Sequence, residues 1–195
     1  MCMCHTVAME LVNTTCTFRV DRRFDLCALA IEEELLKPDC QKAKKNKSLM
    51  MKGFKAVAVT LIRNGRKKVT ALVYNTGSVV LVGAASMAQA QEAERLFTSR
   101  FYCSVTENLQ QRNCVFHVKL GHRVHLSDTW LKAKSAVGVL STSYEPELFP
   151  AVVVSSSHGK ATIFASGHMN ITGCTSLTSA ESLYRVIIAF LINKV

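Results

Sequence analysis

The chain lacks three things that would place it quickly: C-x-x-C pairs, long apolar runs and acidic residues in number. Its eight cysteines are Cys2, Cys4, Cys16, Cys27, Cys40, Cys103, Cys114 and Cys174, and no two make a C-x-x-C. The opening "MCMCHTVAMELVN" has neither a basic start nor a long apolar stretch, so no secretory signal is read there. Together these predict free, mostly buried thiols in a reducing compartment, not a disulfide framework. The longest apolar run, "VIIAFLI" near the carboxyl end, is far too short to span a bilayer and reads as part of a buried helix. No membrane is expected as a partner. Acids number 14 against 24 Lys and Arg, a formal net charge of +10. A charge of that sign suits a polyanion. It is concentrated early: residues 1–100 carry 16 bases and 9 acids, and residues 101–195 carry 8 and 5.

A recognisable reaction centre is also missing. The six histidines (His5, His117, His122, His125, His158 and His168) show no metal spacing with carboxylates. Cys2, Cys4 and His5 leave a tetrahedral site incomplete, and they stand at a chain terminus. No Ser or Cys nucleophile has an evident local partner. The expectation is therefore no enzyme, no cofactor, no metal and no small-molecule substrate.

What is present is a core and a repeat. Apolar residues make up 49% of the 195 positions, enough to bury a sizeable interior. "YNTGSVVLVGAAS" (Tyr74 to Ser86) matches "FASGHMNITGCTS" (Phe164 to Ser176) at a constant offset of 90 residues. Tyr74 pairs with Phe164, Thr76 with Ser166, Gly77 with Gly167, Gly83 with Gly173, and Ser86 with Ser176. Strand-like "KVTALV" and "GKATIF" precede the two copies. Helix-like "SMAQAQEAERLFTSRF" and "SLTSAESLYRVIIAFL" follow, each opened by a serine suited to capping. Upstream, "FKAVAVTLI" from Phe54 corresponds to "FPAVVVSSS" from Phe149. "ELVNTTCTFRVDRRFDLCALA" corresponds, with gaps, to "QQRNCVFHVKLGHRVHLSDTW". Each half then reads strand, helix, strand, hairpin strand, strand, long helix. This is a duplicated α+β unit with antiparallel sheet, divided into residues 1–103 and 104–195. Lys37, Lys42, Lys44, Lys45 and Lys47 cluster between the first helix and Phe54, as a solvated loop or as a basic arm near phosphates.

One stretch resists the simple strand rule. Val79-Val80-Leu81-Val82 is apolar throughout, whereas a strand with one face in water should alternate. Something must cover its second face.

The motifs "SYEPELFPAVVV" (Ser143 to Val154) and "ATIFASGHMNITG" resemble the second repeat of the TATA-binding protein family. "NTTCTFRVDRRFDLCALA" and "GFKAVAVTLIRNG…TALVYNTGSVVLVGA" resemble its first repeat. "CTFR" at Cys16–Arg19 and "PAV" after Phe149 look more like the branch of TATA-binding-protein-like, or TBP-related, factors. The resemblance covers the chain from about Glu10 onward. It implies a pseudo-two-fold saddle: a curved antiparallel sheet with helices on its convex side and double-stranded DNA, through its minor groove, on the other. It further implies a transcription initiation factor for RNA polymerase II, acting in the nucleus and working with the general factors TFIIA and TFIIB. An interaction module that keeps those partners but binds little DNA is the alternative.

The resemblance assigns roles to residues. Aromatic wedges between base steps fall at Phe54 with Tyr74 and at Phe149 with Phe164. Groove-floor contacts fall at Asn13, Thr15, Asn113 and Val115. Alternation then places Val79, Leu81, Met169 and Ile171 toward the helices, and Val80, Val82, Asn170 and Thr172 toward the groove. Val82 stands where the family has Thr, and Asn170 where it has a methyl-bearing side chain. Ser78, Ala85, His168 and Thr175 occupy positions where the family has lysines. A DNA element other than a TATA box, and a shallower salt dependence, are expected. Glu145, Glu147 and Leu148 match the TFIIB-contacting stirrup of the second repeat. "RNGRKK" (Arg63 to Lys68) is read as the first-repeat stirrup, with TFIIA as its candidate partner.

Overall fold

The computed structural model describes residues 9–33, 55–64 and 67–192. The candidate wedge Phe54, the lysine cluster at 37–47, and Cys2, Cys4 and His5 lie outside the described residues. Two compact units divide the chain: residues 14–111, and residues 112–195 with residues 1–13.

The first unit is built from β1 (Met9–Val20, from Thr14 onward), α1 (Leu26–Glu32), β2 (Val57–Asn64), β3 (Lys67–Val73), β4 (Ser78–Ala84) and α2 (Met87–Phe101). Its strands pair antiparallel as β2–β3, β3–β4 and β4–β1. Helix α1 starts where Asp25 Oδ1 accepts from the backbone N–H groups of Cys27 and Ala28. Helix α2 starts at Ser86, whose hydroxyl accepts from Gln89 N–H. It turns Ala90, Ala93, Phe97 and Phe101 onto one buried stripe. The core beneath is a chain of aromatic edges. Phe97 meets Phe18 at 5.5 Å, Phe24 at 5.9 Å and Phe101 at 4.7 Å between ring centroids. Val79 and Leu81 are fully buried among these side chains.

The second unit is built from β5 (Val105–Lys119, from Arg112 onward), α3 (Leu126–Lys134), β6 (Ser141–Glu145), β7 (Phe149–Ser156), β8 (Gly159–Phe164), β9 (His168–Cys174) and α4 (Leu177–Ile192). Here the pairs are β6–β7, β7–β8, β8–β9 and β9–β5, all antiparallel. "VIIAFLI" lies in α4, which buries Ala180, Leu183, Ile187 and Phe190. Met169 and Ile171 are fully buried in this second core. No described helix is long and apolar enough to cross a membrane.

The strand registers carry the duplication into three dimensions. Leu72 opposes Val80 in one unit as Thr162 opposes Asn170 in the other. Phe18 opposes Val79 as Val118 opposes Met169. Each unit also breaks its ladder in two places: at Thr60/Ile62 of β2 in the first and Ser143/Glu145 of β6 in the second, and at one of a matched pair of bulges. Val82 and Gly83 face the single residue Thr15, and Thr172 and Gly173 face Val115. Both glycines hold positive φ, 93° and 74°, as a bulge of this kind requires.

Two sequence expectations need correction. The second repeat has an extra strand, β6, made from the residues that lead into the acidic turn; the six-element reading of each half omits it. Further, Arg63–Lys68 is not the counterpart of the Glu145–Leu148 turn. It joins β2 to β3, and Val57 opposes Val73 as Val152 opposes Ile163. The register therefore matches Arg63–Lys68 to the Ser156–Gly159 turn between β7 and β8. Repeat arithmetic places any first-repeat stirrup ahead of β2, among residues outside the described set.

Candidate nucleic-acid interface

Burial alternates along β1, β4, β8 and β9, and along β5 from Asn113 onward. On β1, Thr14, Cys16, Phe18 and Val20 are buried, while Thr15 and Thr17 are half-buried. On β4, Val79 and Leu81 are buried and Val80 and Val82 half-buried. The side chains of Thr17 and Val80 stand opposite one another across the ladder. Each of these strands thus has one face under the helices and one that they leave uncovered. The uncovered face of residues 14–111 carries Thr15, Thr17, Leu72, Val80 and Val82, a mixture of methyl groups and hydroxyls.

The second unit follows the same rule with different chemistry. Asn113, Val115 and His117 lie on the uncovered face of β5, with Lys119 exposed at its end. Asn170 and Thr172 share that face on β9, and Thr162 shares it on β8. Asn13 is half-buried near the middle of β1, and Asn113 stands beside the bulge of the second unit. The side-chain oxygen of Asn113 accepts from Gly173 N–H at 2.8 Å, so this asparagine also steadies the bulge. Thr172 donates its hydroxyl to the Lys160 carbonyl at 3.4 Å, which leaves its methyl group for the face.

The candidate wedges separate into a pair and a single residue. Phe149 and Phe164 meet edge to face with centroids 6.0 Å apart. Tyr74 is half-buried at the head of the β3–β4 turn, where its N–H donates to the Ser78 carbonyl. Glu145, Glu147 and Leu148 are brought together on the β6–β7 turn next to Phe149. All three are exposed, Leu148 by 81%, and Leu148 N–H closes the turn on the Glu145 carbonyl.

Among the described residues, charge on the uncovered faces is sparse; in β3, Lys68 is exposed where Val69, Ala71 and Val73 are buried. Arg19 is paired with Glu107 at 3.3 Å, with both side chains well exposed. Lys119 and Lys160 stand exposed in the second unit. Ser78, Ala85, His168 and Thr175 add no fixed positive charge.

Thr17, Leu72 and Thr162 are face residues that the sequence reading passed over, and so are three with a polar ring or a charge: His117, Lys119 and Lys160. A signal for two of them was available. Continuing the two-residue period from Asn113 and Val115 along β5 reaches His117 and then Lys119. His117 is the most engaged of the three. Its Nδ1 lies 2.9 Å from Asn170 Oδ1 and its Nε2 lies 2.9 Å from His168 Nδ1. The two imidazoles meet end to end, with centroids 5.0 Å apart and planes 29° apart.

No group of three or more potential metal ligands occurs among the described residues.

Comparison with known proteins agrees with this architecture. The family model described as "Transcription factor TFIID (or TATA-binding protein, TBP)" matches residues 8–102 and again 108–193. Among solved structures, Methanococcus jannaschii TBP superposes with a TM-score of 0.66 at 25% identity, over 94% of this chain and 97% of that one. Rat TATA box-binding protein-like 2 is 26% identical over 96% of this chain and 52% of its own length. The TATA-box-binding protein of Candida albicans is 28% identical over 94% of this chain and 74% of its own. The chain spans about half the length of the rat relative and of its mouse counterpart. Two matches of one family model, one per repeat, and an α+β fold shared with an archaeal member agree: the chain belongs to the TATA-binding protein family, whose members are non-enzymatic DNA-binding transcription factors.

Proposed function

We propose that this chain binds the minor groove of double-stranded DNA, bends it, and serves transcription initiation by RNA polymerase II in the nucleus. One observation carries the reading: each unit covers one face of its sheet with helices and leaves the other lined by methyl groups, hydroxyls and amides. Such a face suits the minor groove, where base pairs differ little in hydrogen bonding and methyl-rich surfaces can press against sugars and base edges. Phe149 and Phe164 act as one wedge pair. Tyr74 is half of the other, with Phe54 as its partner. Unstacking a base step costs about a few kcal/mol, which the wedge offsets by burying its ring in the gap. Asn13, Asn113, Thr15 and Val115 meet the groove floor together with Val80, Val82, Asn170 and Thr172. The duplication boundary lies at 103/104, between the end of α2 and the start of β5.

Glu145, Glu147 and Leu148 form the docking point for TFIIB. Carboxylates beside a wedge repel phosphates, so their exposure next to Phe149 suits a basic protein partner. TFIIA completes the assembly. With Val82 and Asn170 in place of the family's residues, the promoters served are divergent or non-TATA, and the chain acts as a TATA-binding-protein-like factor.

Fluorescence energy transfer across core-promoter duplexes tests this reading with TFIIA and TFIIB present. End-to-end transfer should rise on adding the chain. The double variant Phe149→Ala, Phe164→Ala should abolish the rise while still capturing TFIIB. Unchanged transfer on every duplex would sink the proposal.

A second reading rests on a different observation, the shortage of cations on the uncovered faces. Each missing phosphate contact lowers the salt slope by about 0.9. If enough are gone, the chain is an interaction module for TFIIA and TFIIB. Capture of those factors without measurable DNA affinity at physiological salt would decide for it.

A further inference from the structure

The two uncovered faces differ most where His117, His168 and Asn170 stand. Their counterparts in the first repeat are Thr17, Ser78 and Val80, none with an imidazole or an amide. The three side chains form a relay within the second unit. Asn170 Oδ1 is an acceptor, so the His117 Nδ1 that lies 2.9 Å away carries the proton. A neutral His117 then has a lone pair on Nε2. Facing it at 2.9 Å, His168 Nδ1 must be the donor, and the lone pair of His168 falls on Nε2. The relay therefore fixes a tautomer at each step. It ends on an exposed residue that offers an acceptor. On its other branch, the Asn170 amide offers N–H donors.

Acceptors are of little use against most of the minor groove. A·T pairs present only acceptors there, adenine N3 and thymine O2. The one donor in the minor groove is the exocyclic N2 amino group of guanine, flanked by acceptors on guanine and cytosine. An acceptor held beside a donor has the polarity of that edge.

We infer that His168 Nε2 accepts a hydrogen bond from a guanine N2 amino group in the minor groove, with Asn170 donating to the adjacent acceptor and His117 holding the tautomer. The inference rests on the minor-groove reading above and sharpens it: the part of the DNA site that lies on the second unit contains a G·C pair read by these residues. His168 and Asn170 are specificity-determining residues, and His117 is a positioning residue. Lys119 and Lys160, exposed on neighbouring strands of the same face, are available to nearby phosphates.

Base analogues test this with the full chain. Duplexes are selected from a random pool with TFIIA present. Each guanine in the selected site is then replaced by inosine, which lacks only the N2 amino group. Each adenine is replaced by 2,6-diaminopurine, which adds one. Binding is read by fluorescence anisotropy. At one position inosine should weaken binding by about fivefold or more. His168→Phe should erase that sensitivity while retaining bending, and His117→Phe should reduce it without an equal loss of overall affinity. Wild-type binding that ignores inosine at every guanine overturns the inference. So does a site made only of A·T pairs at which diaminopurine is penalised throughout, the result expected if the relay ran in the opposite direction. Inosine sensitivity that persists in His168→Phe overturns the assignment to this residue. The arms also separate the two claims: binding without amino-group sensitivity removes only this inference, whereas no binding to any duplex removes the minor-groove reading as well.

Discussion

Phe149 and Phe164 touch edge to face, at 6.0 Å between centroids and 72° between ring planes, although 15 positions separate them in the chain. Antiparallel pairing of β7 and β8 brings them together: Phe164 opposes Ala151, and Phe149 lies two residues farther along the same face. Phe149 remains 46% exposed, so the pair is assembled without being buried. Removing either ring should cost little in folding and much in binding. Phe149→Ala should lower unfolding free energy by about 1 kcal/mol, well short of the 3–5 kcal/mol typical of a buried Phe. Promoter bending should fall at least tenfold in affinity. Urea denaturation and energy transfer measure the two effects.

Gly167 should be nearly irreplaceable. It holds φ at +84° in the β8–β9 turn, and a Cβ there would collide with the His122 carbonyl oxygen. Gly167→Ala would meet both the left-handed backbone cost and a clash with rigid main chain. A loss of about 2–4 kcal/mol is expected, read as a lower thermal midpoint. The equivalent Gly77, at φ +85° against the carbonyls of Val20 and Arg22, should behave alike.

Tyr102 offers the opposite case. It ends α2 in the left-handed conformation at φ 49°, and its side chain is 94% exposed. A glycine there keeps the cap and loses no packing. Tyr102→Gly should stabilise the chain by about 0.5–1 kcal/mol in chemical denaturation.

Two thiols should mark alkaline stability. Burial, reinforced by Asp21, raises the Cys103 thiol above its ordinary value; Arg22 works against the shift. Burial, reinforced by Cys114, raises that of Cys174. An acid whose folded-state pKa is raised ionises first in the unfolded chain. The stability it contributes is therefore full below the ordinary thiol value, about 8.5, and is lost as pH rises through the folded value. Stability should decline from about pH 8.5 upward, and Cys103→Ser should flatten that decline. At neutral pH both thiols should react slowly with iodoacetamide in the native chain, as mass spectrometry would show, because little thiolate is present.

Much of the fold was legible because side-chain period and repeat spacing report local facts. Val79, Leu81, Met169 and Ile171 lie in the cores as alternation requires. Ser86 and Ser176 receive the N–H groups of Gln89 and Ser179 as caps should. The apolar run at Val79–Val82 also makes sense: helices cover two of its residues, and an open face waits beneath the other two. Register was harder to read. Treating Arg63–Lys68 as a stirrup failed because loop composition does not say which pair of strands a loop joins. Strand β6 was missed because its five residues include none that is buried, so no apolar alternation marks it. The His117 relay needed two strands at once, since His117 and His168 are 51 residues apart. Of the candidate aromatic wedges, only Phe149 with Phe164 can be placed as a pair among the described residues.

The alternating burial described above also has an evolutionary consequence. At buried positions the two copies have kept apolar partners: Phe18 and Val118, Val79 and Met169, Leu81 and Ile171. On the open faces the same registers hold unlike side chains: Thr17 and His117, Val80 and Asn170, Val82 and Thr172. Half-exposed positions contribute little to the core, so substitution there is weakly constrained by folding. The duplicated backbone keeps separate the residues that maintain the fold and those that line the uncovered faces. A lineage could alter one copy's chemistry while the other copy held the old preference, and pass through no unfolded intermediate on the way.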